Sequence, residues 1–299
     1  MRHTSSITLP AALPVALAGV LLLTACGTQP AGTPDPPVTP GASGGPGPSA
    51  LPGDPADLEK DGVRITAIGD DARDSEFEVT NDASEPFTYT ITFSLLSESG
   101  GALANPKQTV PSVKPGQTLR RTLTMGDSPS PRSAQATRVK ILTVRRVPAA
   151  EAPSEGGPCP RSGLRVYAGR GDAAMGLRVV SLHLVNCGTR TERLNGYPRL
   201  ELIDEDHKPV KDVQILEGGS TIATGTGTDG EPQPIELQPG EAASAGLTWR
   251  NTTEAGPAPV HAPYVRVRAK PGADPVMVTP ELDLGTTGKL GVGPWKKNE

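Results

Sequence analysis

The stretch Phe87-Thr-Tyr-Thr-Ile-Thr-Phe-Ser-Leu95 alternates apolar and hydroxyl-bearing residues at every step. Phe87, Tyr89, Ile91, Phe93 and Leu95 fall on one face of an extended strand, with threonines and Ser94 on the other, a period that no helix can satisfy. One face therefore belongs to a core and the other to water. Glycine (35) and proline (33) are abundant while aromatic residues make up 3%, so turns, linkers and short strands are expected in place of long helices. Shorter strands are readable at 63–68, 76–80, 118–124 and 138–147, separated by turns such as Asn81-Asp-Ala-Ser-Glu-Pro86 and Lys114-Pro-Gly-Gln117. Strands at such short intervals predict a small immunoglobulin-like sandwich over 58–147.

A second linker, 148–158, leads to further strand patterns at 164–168, 176–186, 199–203, 235–237, 243–250 and 264–269. The two regions echo each other. Val79-Thr80-Asn81 matches Leu184-Val185-Asn186, and Val113-Lys-Pro-Gly-Gln117 matches Leu237-Gln-Pro-Gly-Glu241. The second copy carries an extra segment, 217–231 (EGGSTIATGTGTDGE), which reads as a mobile insertion. The predicted fold class is all-β, with tandem immunoglobulin-like β-sandwiches over 58–147 and 159–284. The tail over 285–299, including Trp295, is expected to be loosely ordered.

The N-terminus has a short positive start, Met1-Arg2-His3, then an apolar run over 9–23 interrupted by Pro10 and Pro14. That is a signal-peptide pattern, too short and proline-broken for a good spanning helix. Leu23-Thr24-Ala25-Cys26 directly behind it resembles the lipobox of bacterial prolipoproteins. The resemblance implies cleavage after residue 25, a diacylglyceryl thioether on Cys26 and acylation of the new N-terminus, placing the protein on the outer face of the cytoplasmic membrane. Two acyl chains suffice for stable anchoring, at about 0.8 kcal/mol per buried methylene.

Residues 27–57 are mostly Pro, Gly, Ser, Thr and Ala and read as a disordered tether. It would reach about 95 Å as extended polyproline and about 30 Å as a flexible coil. With Cys26 lipidated, two of the three cysteines remain, Cys159 and Cys187. An even pair in an oxidising compartment predicts a disulfide, with roughly 3 to 4 kcal/mol of stabilisation from closing a loop of this size.

In the second region, Cys159, Asn186-Cys-Gly188, Leu194-Asn-Gly-Tyr-Pro198, Leu237-Gln-Pro-Gly240 and Leu247-Thr-Trp249 occur in an order that resembles a family of actinobacterial exported domains, domain of unknown function 4232. The resemblance implies a β-sandwich module on a lipoprotein and brings no established activity. Its motif residues, Asn186, Gly188, Gly196, Tyr197, Pro198, Pro239, Gly240 and Trp249, are expected to be structural. The family places a cysteine shortly before Gly-Tyr-Pro, where this chain has Glu192.

Other patterns do not assemble chemistry. Gly41-Ala-Ser-Gly-Gly45 has the spacing of a nucleophile elbow but lies in the tether, where no strand meets a helix. Gly225-Thr-Gly-Thr-Asp-Gly230 is followed by Glu231-Pro-Gln-Pro234 where a dinucleotide site needs a helix. The four histidines suggest no triad. Asp70, Asp71, Asp74 and Glu76, and the run Asp204-Glu-Asp-His207, read as solvated turns and not as calcium loops. Arg138, Lys140 and Arg146 are expected to share one side of a strand near Arg120, as a basic stripe on a wet face. The net charge of -4 supplies no field for nucleic acid.

No metal or cofactor is expected. The predicted function is a non-enzymatic, lipid-anchored envelope protein whose partner is a protein, a glycan or an anionic wall polymer. The alternative is a small-ligand or metal-binding module with 217–231 as a lid.

Overall fold

A computed structural model describes residues 54–124, 136–255 and 257–299. The signal segment, Cys26, nearly all of the tether and the Gly41–Gly45 motif lie outside the described residues. The described residues form one compact unit, and its fold class is all-β.

Phe87–Leu96 is a strand, and Phe87, Tyr89, Ile91, Phe93 and Leu95 are all buried. It pairs antiparallel with Ala102–Ala104, Lys107–Val113 and Arg138–Pro148. Facing it is a sheet ordered Glu59–Lys60, Val63–Ala67, Glu76–Thr80, Thr118–Thr122. Phe77 from this second sheet meets Phe93 with ring centroids 5.0 Å apart, at the centre of the first core. Lys107–Val113 hides from a periodicity reading because Pro111 and Ser112 lie where the pairing register shifts, and Ser112 has φ 51°.

A second register shift changes what the basic residues do. Thr92 pairs with Thr143 but Phe93 pairs with Ile141, so Leu142 is an extra residue. One extra residue flips every later side chain to the opposite face. Arg138 and Lys140 therefore share the outer face with Arg145, and Arg146 stands opposite Tyr89. Arg120 lies in the other sheet, paired with Glu78 at 2.7 Å. The expected stripe of Arg138, Lys140, Arg146 and Arg120 does not form.

The second sandwich has its own core. Leu177–Asn186 pairs along its length with Ala242–Arg250, which pairs with Lys289–Val292, which in turn runs parallel to Gln214–Glu217. On its other edge Leu177–Asn186 carries Leu164–Ala168 and Asp172–Ala174, interrupted by Gly169-Arg170-Gly171. Leu182, Leu184, Leu247 and Leu290 point inward and meet Leu202, Val265 and Leu282 from the facing strands. Cys159 and Cys187 form a disulfide, which ties the entry of this sandwich to the end of one of its central strands. Cys187 N–H and Gly188 N–H both donate to Gly163 O, at 3.0 Å each.

The echoed motifs fold into the same device. Asn81 Nδ2 donates to Glu85 O and Val113 O, both at 2.8 Å, and its Oδ1 accepts from Ala83 N–H. Asn186 Nδ2 donates to Arg190 O and Leu237 O, both at 2.8 Å, and its Oδ1 accepts from Gly188 N–H. The Pro-Gly turns close on these asparagines, Gly116 N–H on Asn81 O and Gly240 N–H on Asn186 O. Both asparagines have zero exposure, and each satisfies one buried carbonyl, Val113 O or Leu237 O, that would otherwise cost about 1–3 kcal/mol.

Two expectations are corrected. The tail from 285 belongs to the fold: Lys289–Val292 is a sheet strand, and buried Trp295 donates from Nε1 to Ala269 O at 2.9 Å. The segment 217–231, expected as a mobile insertion, is packed against the sheet at Gly219 and Thr228. Thr228 is fully buried on a saddle built of Gly219, Gly246 and Gly293, where a Cβ at Gly219 would lie 2.0 Å from its Oγ1. The glycines leave the space that lets the insertion lie against the sheet.

Candidate functional site

The flip at Leu142 delivers Arg145 to the second sandwich. Its guanidinium is almost wholly buried and grips Glu281 with two prongs, Nε to Oε1 at 2.7 Å and Nη2 to Oε2 at 2.8 Å. Glu205 adds a contact at 3.4 Å, and the Tyr264 ring lies 5.9 Å beneath. Burial works against the Arg145 charge, but the hydrogen bonds and charge of Glu281, with Glu205, outweigh it and hold its pKa above the ordinary value. Beside it Val147 from one sandwich and Ile203, Tyr264 and Met277 from the other form a small buried cluster. Arg266 closes the outer side by bonding Glu151 and Glu201, both at 2.8 Å.

His207 fills the remaining gap. Its ring lies edge-on to Phe87 of the first sandwich, centroids 5.9 Å apart, and 4.6 Å from the ring of Tyr264. The turn at 204–208 presents it: Asp204 Oδ1 accepts from Asp206 and Lys208 N–H, and His207 itself takes φ 61°. The second acidic turn is therefore a mount for this histidine. Asp71 likewise caps its own turn, accepting from Arg73 N–H and pairing with the Arg73 side chain.

Burial, then Arg146, hold the His207 pKa below its usual 6.5, with Arg266 acting in the same sense and Asp204 opposing. Asp206 and Glu85 border the same hollow. A depressed base binds its proton more readily once unfolded. The stability it contributes is therefore complete above 6.5 and is lost as pH falls from there through the lower folded value. Denaturation midpoints measured across that window should fall with pH in the wild type. His207→Asn, which tolerates the same backbone, should remove most of that fall; an unchanged profile would refute the role of His207.

Next to this latch a cleft of about 810 Å³ separates the sandwiches. The first sandwich lines it with Thr88, Thr90, Thr109 and Lys107, the second with Tyr167 and Arg170, and the Arg145–Glu281 pair borders it. Glu281 also borders a smaller hollow of about 370 Å³ beside Arg178, Trp249, His261 and Asp283.

The motif residues named from the sequence do not line the larger cleft, and Trp249 borders the smaller hollow. Trp249 is buried and donates from Nε1 to Asp283 Oδ1 at 2.8 Å. Gly196, at φ 93°, accepts through its carbonyl from Trp295 N–H. Pro198 is buried and Tyr197 half-buried; partial burial, then Glu217 and Glu231 at the ends of the insertion, push the Tyr197 hydroxyl pKa up. Pro239 and Gly240 form the turn that closes on Asn186, with Gly240 at φ 89°. Glu192 pairs with Lys270. Arg145, His207, Tyr264 and Glu281 escaped the sequence reading. The one visible signal was the pair Arg145-Arg146 at the end of a predicted strand, and which arginine turns outward depends on the bulge.

The molecule is thus a pair of β-sandwiches, the second stapled by a disulfide, joined through an ion pair whose arginine is buried, beside a cleft. Residues 159–296 match a family model described as a domain of unknown function, DUF4232. The match runs past 284 and takes in Trp295, in keeping with the tail's place in the core. Comparison with curated proteins finds no match.

Proposed function

We propose that this is a non-enzymatic, lipid-anchored protein of the cell envelope, whose two sandwiches work as one rigid binding body on the outer face of the cytoplasmic membrane. The observation that carries the binding reading is the Arg145–Glu281 fork beside an open cleft. Ordering two side chains and desolvating a guanidinium across a domain boundary is costly, and doing so holds the cleft walls at a fixed separation. A fixed cleft is pre-organised for a ligand. The disulfide suits an oxidising compartment, and the lipobox-like Leu23-Thr24-Ala25-Cys26 supplies the anchor.

The partner is an envelope component met within reach of the tether: a protein, a glycan or an anionic wall polymer. Cys26→Ser should release the protein from the membrane fraction into the medium. Retention of that variant with membranes would overturn the anchor.

A further inference from the structure

We propose that the cleft between the sandwiches is a carbohydrate site that takes a short acidic oligosaccharide. This rests on the binding reading above and adds the chemistry of the ligand. The first wall is a bank of hydroxyls. Thr90 and Thr109 face each other across paired strands with Oγ1 atoms 3.5 Å apart, and Thr88 Oγ1 accepts from Ser112 N–H. Each hydroxyl keeps capacity to donate or accept, as the hydroxyls of a sugar require.

The opposite wall offers Tyr167, whose ring is stacked on His183 at 5.0 Å and 23° and so is held in place. An aromatic face carries negative potential and suits the C–H face of a pyranose. Of the apolar lining residues, Val147, Val180 and Val278 are buried, while Pro153, Ala168 and Pro280 are half-buried and edge the cleft.

Charge supplies the acidity. Arg145 and Glu281 neutralise each other. Among the other charged lining residues, Lys107, Arg170 and Glu155 are exposed and make no ion pair with another described residue. Two cations against one carboxylate leave the cleft one positive charge in excess, unlike the chain as a whole, which carries -4. A carboxylate or a phosphate on the sugar meets that excess, and cleft volumes of roughly 300–1,000 Å³ are those of small-ligand sites.

Calorimetric titration of the disulfide-bonded Cys26→Ser protein tests this with four probes: trigalacturonate, maltotriose phosphate, neutral maltotriose and triglutamate. One of the two acidic polyols should bind one-to-one at least tenfold more tightly than maltotriose and triglutamate, and which one does so identifies the acid. Lys107→Glu with Arg170→Glu should weaken that binding at least tenfold, and Thr90→Val should weaken it several-fold, with thermal unfolding unchanged because all three side chains sit at the surface of the cleft. The proposal is overturned if neither acidic polyol binds, if maltotriose or triglutamate binds as tightly, or if the substitutions leave the affinity unchanged. Release of Cys26→Ser from membranes together with absent sugar binding would sink the ligand assignment alone; sugar binding with membrane retention would sink the anchor alone.

Discussion

Trp295→Ala should destabilise the second sandwich by about 3–5 kcal/mol, the usual range for emptying a fully packed aromatic site. Trp295 is 2% exposed and sits in the same cluster as Leu194, Leu237 and Ala269. Its ring nitrogen satisfies Ala269 O, and its backbone N–H satisfies Gly196 O. The substitution keeps the backbone bond and loses the ring and its hydrogen bond, so two buried groups change at once. Chemical denaturation followed by near-ultraviolet circular dichroism reads the effect. A loss under about 1 kcal/mol would mean that the tail is frayed in solution and that the core closes without it.

Glu281→Ala should cost about 3 kcal/mol, at the lower end of what removing one partner of a buried ion pair costs, because Glu205 and the Tyr264 ring still attend Arg145. Arg145 is the buried member, its side chain 9% exposed against 43% for Glu281. Removing the carboxylate therefore strands a charge, whereas removing the guanidinium leaves a carboxylate that water can reach. Arg145→Met should accordingly be milder than Glu281→Ala. Glu281 adopts φ 56°, so Glu281→Gly is the control that relieves backbone strain while losing the same pair. Calorimetry should show one cooperative transition for the wild type and two for Glu281→Ala, as each sandwich melts alone. A single, unshifted transition in the variant would show that the ion pair does not couple the sandwiches.

Much of the architecture was readable because it is local. The Phe87–Leu96 strand announces itself by period, and each face of it needs only its own residues. The paired asparagines were visible as an echo in the text, and their hydrogen bonds give the reason: any fold that turns there must satisfy the same buried carbonyls. What stayed hidden depends on partners distant in sequence. Gly291 and Gly293 looked like loop residues, yet they are glycines because the insertion crosses the sheet there: a Cβ at Gly293 would lie 2.9 Å from Thr228 Cα. Leu142 carries no mark of a bulge, so period two alone puts Arg146 on the wet face with Arg138 and Lys140, where the structure puts Arg145. The cleft draws on threonines near residue 90, an edge strand near 167 and the Glu281 turn, and no local pattern joins them.

His207 illustrates the same limit from the side of charge. Within Asp204-Glu-Asp-His207 it reads as one more polar residue of a turn. Its meaning comes from Phe87, some 120 positions earlier in the chain, and from Tyr264, which follows it. The hydroxyls of Thr88 and Thr90 were assigned to water, and they do face outward, but onto the second sandwich and not bulk solvent.

On the proposed reading, the two sandwiches form one rigid body with a standing cleft between them. Pulsed electron–electron spectroscopy on spin labels at Ser99→Cys and Thr253→Cys, both exposed sites in different sandwiches, measures this directly in the Cys26→Ser background. A rigid pair gives a single narrow distance distribution at neutral pH that broadens in Glu281→Ala. A broad or multimodal distribution in the protein without that substitution would contradict it.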